Sequence, residues 1–125
     1  MRRKKRELSK VKQGQAERVC AIIEDVYGLS RETWMFNRNN HKYKAQSFSY
    51  LMPRQAFSYL LAHELGWKDT DIQDASGDPK AITTIDHATV RHHRRKIDQL
   101  VTCGHGSAHL WPVLEAIKRV KEIRL

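Results

Sequence analysis

Long apolar runs are missing from this 125-residue chain. Nothing in it approaches the roughly 20 apolar residues of a membrane-spanning helix. The basic opening MRRKKRELSK is not followed by the apolar stretch of a secretory signal, so a cytoplasmic protein without a membrane partner is expected. Cysteine is nearly missing too: Cys20 and Cys103 set no disulfide framework. No segment alternates with the two-residue period of a strand. No internal repeat occurs, and no GxxxxGK[ST] phosphate loop, so ATP hydrolysis is not expected. Nucleophile, base and orienting group form no recognisable set, and the acidic residues fall at helix starts and on polar faces, so the chain is not expected to be an enzyme. Cys103, His105 and His109 lack the second close pair of a structural zinc site, so neither metal nor cofactor is expected.

Positive charge is what the chain has in excess. There are 23 Lys and Arg against 14 Asp and Glu, a formal net charge of +9. Such a balance favours polyanionic partners, nucleic acid before anionic membrane. The excess is not spread evenly. Arg2, Arg3, Lys4, Lys5 and Arg6 crowd the first ten residues, which therefore read as a basic flexible arm. From Arg38 to Arg54 no acidic residue occurs, while Arg38, Lys42 and Lys44 alternate with Tyr43, Phe48 and Tyr50. A surface loop usually mixes signs, so this one reads as facing phosphate. From Glu64 to Lys80 the balance reverses, and that stretch is expected to face away from a polyanion.

The remaining pattern is helical throughout. Ala16, Val19, Cys20, Ile23, Val26 and Tyr27 recur at three-four spacing, and Gly28 follows where a left-handed cap is wanted. Ser30 is placed to cap a short helix carrying Trp34, Met35 and Phe36. In PRQAFSYLLAHELG, Pro53 suits a first helical position and Gly66 a stop. Thr70 and Gln73 can form a capping box for a short helix over 70–76. A longer helix over 86–101 follows, capped by Asp86. Val90, Ile97, Leu100 and Val101 share one face, with His93 and Arg94 at its edges and Arg91, His92 and Arg95 opposite. Beyond the glycine-broken turn TCGHGSAH, a last helix carries an apolar stripe of Val113, Leu114, Ile117 and Val120.

The short helix, its connection and helix 86–101 make a helix-turn-helix candidate, in which the start of the second helix meets base edges in the major groove. Close approach needs small or short side chains there. Asp86 can accept from a cytosine amino group, Ala88 or the Thr89 methyl can pack on a thymine methyl, and His87 can hydrogen-bond a base or a phosphate. Arg91, Arg95 and Lys96 would then neutralise the flanking backbone. Taken singly, Asp86 and His87 are more often ordinary helix-start residues.

Pro53-Arg54-Gln55 opening a helix that ends in Glu64-Leu65, and Asp86-His87-x-Thr89-Val90 leading into Arg95-Lys96-Ile97, resemble the C-terminal DNA-binding domain of the bacterial chromosomal replication initiator, DnaA. The resemblance covers roughly residues 16–101. It implies an all-α helix-turn-helix domain of Trp-repressor-like type over 11–102, here with an additional C-terminal helix in 103–125, binding double-stranded DNA by sequence. It further implies that Asp86, His87 and Thr89, with Ala88 between them, read bases, and that Arg54 and Gln55 meet phosphates. One of Arg38, Lys42 and Lys44 would enter the minor groove. Ala88 stands where the family has a threonine, which removes one hydrogen bond, and the 78–85 turn is longer than the family's. The ATPase domain of the initiator is not expected. The competing expectation is a non-specific DNA clamp or a protein-interaction module, with Trp111, Leu114 and Ile117 of 111–125 meeting a second copy or a partner protein.

Overall fold

A computed structural model describes residues 3–36 and 47–124. Among them the fold is all-α. In chain order it has α1 (Lys10–Tyr27), a wide π-type turn (Glu32–Phe36), α2 (Ser47–His63), α3 (Asp69–Ala75), α4 (His87–Cys103) and α5 (Leu110–Arg124). The only extended pairing among the described residues is an isolated antiparallel bridge between Lys4 and Thr83.

α1 forms as its sequence predicts. The Ser9 side chain accepts from the Lys12 backbone N–H, and Gly28, at φ +68°, donates its N–H back to the Glu24 carbonyl. Ala16, Val19, Cys20 and Ile23 are buried along one stripe. Burial pushes the Cys20 thiol up to about 12, so it stays protonated and acts as a small apolar core residue.

α2 is the centre of the molecule. Gln55 to Leu61 are buried without interruption, so this stretch has no solvent face. α1, the π-type turn, α3, α4 and α5 all pack on it. The Trp34 and Phe57 rings meet at 5.8 Å between centroids. The start of α2 differs from expectation. Pro53 is not at the first helical position but lies inside the helix, which begins at Ser47. The proline ring costs one backbone hydrogen bond there, and Met52, Pro53 and Gln55 to Leu61 are buried against the other helices, so packing outweighs it. The far end behaves as expected: Gly66 takes φ +71°, and the Trp67 N–H returns to the Leu61 carbonyl at 2.9 Å. Trp67 then donates its ring N–H to Gln15 of α1.

α3 spans Asp69–Ala75, and the expected Thr70–Gln73 capping box is not formed. Gln73 turns inward instead, 2% exposed, and donates to the Ile85 carbonyl at 2.9 Å. A buried amide needs a partner more than an exposed helix end does. The connection from α3 to α4 is long but ordered by its own hydrogen bonds. Asp78 accepts the Ala81 N–H on its carbonyl and the Lys80 N–H on its side chain. Gly77 sits at φ +81°, with the Ile85 side chain 3.2 Å from where a Cβ would stand. α3 and α4 are also clamped directly. Arg94 Nε lies 2.8 Å from one Asp69 oxygen, and Arg94 Nη2 donates to the other at 2.9 Å.

Residues 3–9 lie along α3 and pair with the connection, and Arg3 and Arg6 reach Asp74. One further expectation changes. In α5 the buried stripe is Val113, Ala116 and Val120, and Leu114 is 46% exposed. The small Ala116 lets α5 lie close against the body, which turns Leu114 outward. Arg119 then ties α5 to Asp25 of α1.

The Arg94–Asp69 pair is two-pronged and only a quarter exposed on each side. A double-mutant cycle with Arg94→Met and Asp69→Leu, read by urea unfolding, is expected to give a coupling of about 1 kcal/mol or more. A coupling near zero would show that the clamp does not hold α3 to α4.

Candidate nucleic-acid interface

The candidate site is built on α4, and its first turn is set by one carboxylate. Asp86 has extended backbone angles, φ −67° and ψ 139°, and its side chain accepts from the Ala88 N–H at 3.0 Å. That is a standard N-cap, and it turns the chain into the helix at the position expected. His87 Nδ1 lies 3.5 Å from the same Asp86 oxygen. His87, Ala88 and Thr89 are all exposed, and the Asp86 side chain is 44% exposed. The four residues singled out for base reading therefore sit together at the accessible start of one helix.

Three faces of α4 follow from helical spacing. Val90, His93 and Ile97 are buried, with Leu100 and Val101 packed beside them. Arg94 goes to Asp69. Arg91, His92, Arg95 and Lys96 are exposed. Among the described residues, Arg91, Arg95 and Lys96 make no ion pair, and the only acidic residue in α4 is Asp98. Arg3, Arg6, Lys12, Arg31, Arg94 and Arg119 each lie on a carboxylate.

α2 flanks α4 and places Arg54 and Gln55 on either side of it. Arg54 is half-buried, and its Nε donates to the Trp34 carbonyl at 2.7 Å. It shares a cavity of about 70 Å³ with Ser58, Ser76, Thr89 and His93. Gln55, 8% exposed, opens instead on a groove of about 390 Å³. There it joins His92, Lys96 and His109 over a floor that includes Met52 and Leu100. Thus Arg54 shares a cavity with Thr89, and Gln55 a groove with Lys96. Arg38, Lys42 and Lys44, the loop residues expected to approach the minor groove, lie outside the described residues.

His93 is the one titratable side chain on the inward face of α4. It is 4% exposed, and its Nδ1 has no hydrogen-bond partner among the described residues. Burial, then the charges of Arg54 and His92, hold its imidazole down to about 4. His93 is therefore neutral at pH 7 and serves packing.

The pairings that position the site gave no separate signal in the sequence: Gln73 with Ile85, Thr84 and Asp74 with Arg3, and Arg94 with Asp69. The available hint was the acidic stretch 64–80 standing against the basic residues 1–10, two opposite charges whose meeting needs the fold. Among the described residues, no group of three His, Cys, Asp or Glu is placed to hold a metal, and no helix is long and apolar enough to cross a membrane.

His93 carries a pH dependence whose sign is fixed by its depressed pKa. The unfolded chain takes up this proton near pH 6.5, the folded chain only near pH 4. Stability is therefore full above about 6.5 and lost as pH falls toward 4, by about 3 kcal/mol from this group. In urea melts from pH 7 to 4, His93→Leu is expected to lose that part of the slope. An unchanged slope would place the acid sensitivity in other groups.

No family model, no curated protein and no solved structure matches the chain.

Proposed function

We propose that the chain is a sequence-specific, double-stranded DNA-binding domain of the helix-turn-helix type, similar to the DnaA C-terminal domain and acting in replication control or transcriptional regulation without catalysis or a cofactor. In this reading α3 and α4 are the two helices of the motif, and the start of α4 enters the major groove. One observation carries the reading. A single helix holds its inward face with Val90, His93 and Ile97, presents a short-chained first turn in which His87, Ala88 and Thr89 are exposed, and leaves Arg91, Arg95 and Lys96 exposed without acidic partners among the described residues.

The division of labour follows from the chemistry of the duplex. Asp86 accepts, His87 donates or accepts, and Ala88 and Thr89 offer methyl surface; these are the means of reading a major-groove edge. Arg91, Arg95 and Lys96 supply phosphate charge, which fixes register without reading sequence. Gln55 stands beside Lys96 and extends that phosphate-facing edge onto α2. A-form RNA offers no wide major groove to such a helix, so duplex DNA is the partner chosen.

A second reading rests on α5. Trp111 is 66% exposed and Leu114 46%. Large apolar side chains side by side on one helix suit a protein partner or a second copy of the chain. The two readings combine readily, because a single DNA module buries little surface and gains affinity when paired.

Selection of duplexes from a random-sequence library at physiological salt is expected to enrich one motif, and His87→Ala is expected to weaken binding to that motif more than to scrambled DNA. Equal loss on both would remove His87 from base reading. In salt titrations, Arg91→Ala and Arg95→Ala are each expected to flatten the dependence of log affinity on log salt by ~1 unit, because one phosphate is no longer neutralised. An unchanged slope would take that arginine off the backbone.

A further inference from the structure

Residues 3–6 grip three separate pieces of the α3–α4 region. On α3, Arg3 Nη1 lies 2.8 Å from an Asp74 oxygen, and Arg3 Nη2 donates to the Thr70 carbonyl at 2.6 Å. The Arg6 backbone N–H donates to Asp74 at 3.1 Å, and its guanidinium lies 3.3 Å from the other Asp74 oxygen. At the turn, Lys5 Nζ donates to the Asp78 carbonyl at 2.7 Å. On the connection, the Lys5 N–H donates to the Ile82 carbonyl at 2.8 Å, and the Thr84 N–H donates to the Arg3 carbonyl at 2.7 Å. The Arg3 N–H completes the set by donating to the Thr84 hydroxyl at 3.3 Å.

Two features make this more than surface decoration. The Asp74 side chain is 1% exposed, and among the described residues it is held by Arg3 and Arg6. Arg3 and Arg6 lie over the Asp74 carboxylate and pair with it, so this contact holds the segment to α3. Thr84 is 1% exposed, and both its backbone N–H and its hydroxyl are satisfied by Arg3. Thr84 lies two residues before Asp86, the cap that starts α4. The neighbouring Ile85 carbonyl is fixed by Gln73. The chain entering α4 is thus held from one side by α3 and from the other by residues 3–6.

We propose that the basic N-terminal segment is a positioning strap, in which Arg3 and Arg6, anchored on Asp74, clamp the 78–84 connection and thereby set where Asp86–Thr89 point. It is not a free arm that seeks phosphate. The strap lies outside the part of the chain that resembles the initiator domain. It answers a local need, since a connection this long would otherwise leave the start of α4 weakly fixed. Its consequence for DNA rests on the reading of α4 given above; its effect on the connection does not.

Asp74→Asn tests the strap directly, because it removes the anchor, keeps the shape and deletes no cation. On the protein alone, the Thr84 amide is expected to exchange with solvent about tenfold faster or more, while amides of the α2 core hold their protection. Unchanged exchange at Thr84 would overturn the strap. On DNA, affinity for the selected duplex relative to a scrambled one is expected to fall by about tenfold, the scale of one misplaced base reader. Asp74→Glu, which keeps the charge, is expected to recover most of that ratio. A general loss of folding would lower both affinities together and leave the ratio unchanged, and that result overturns the positioning role. So would a free phosphate arm, for which releasing Arg3 and Arg6 raises binding on both duplexes equally. If the wild-type protein selects no duplex, the DNA reading fails, and Thr84 exchange still decides the strap.

Discussion

Everything in this fold hangs on the burial of the middle of α2. From Gln55 to Leu61 every residue of α2 is buried. Such a helix is stable only when other helices cover it on every side, and each of those must bring an apolar stripe. Val19 and Ile23 come from α1, Trp34 from the π-type turn, Ile72 from α3, Val90 and Ile97 from α4, and Val113 and Val120 from α5. The same demand accounts for Pro53 within the helix. Its missing hydrogen bond is offset by burial on both sides of the ring position.

Covering α2 has a consequence for α4. Once Val90, His93 and Ile97 are committed inward, the helical period leaves Arg91, Arg95 and Lys96 outward. Six other cations lie on carboxylates, among them Arg94 with Asp69 on α4 itself. The exposed cations of α4 remain unpaired among the described residues. The polar residues near the core are placed with equal economy. Gln73, Thr84 and the Asp74 side chain are covered, and each is satisfied by a group that also fixes the chain leading into α4.

α1 and α4 are legible in the sequence because periodicity and caps agree: Gly28 closes one, and Asp86 opens the other. The four residues at the start of α4 are legible for the same reason, since a helix start is a local property. The beginning of α2 is not, because Pro53 is locally a start signal, whereas burial is a property of all six helical elements together. The Thr70–Gln73 capping box fails for a similar cause: the Ile85 carbonyl, twelve residues away, is the partner Gln73 takes. The pattern of α5 points Leu114 inward because two stripes on that helix are nearly equivalent in sequence. The body chooses the one that contains small Ala116.

The sequence by itself determined the helical class, the positive excess, the cap and first turn of α4, and its separation into apolar and basic faces. These depend on residues within one or two helical turns of each other, where backbone geometry dictates what meets what. Only the tertiary structure decided that Arg3 and Arg6 are tied to Asp74, that Arg94 clamps Asp69 of α3, and that Gln55 lines one groove with Lys96. Each of these pairings joins residues far apart along the chain. Charge and polarity say which groups need a partner; only the packing around α2 says which partner is within reach.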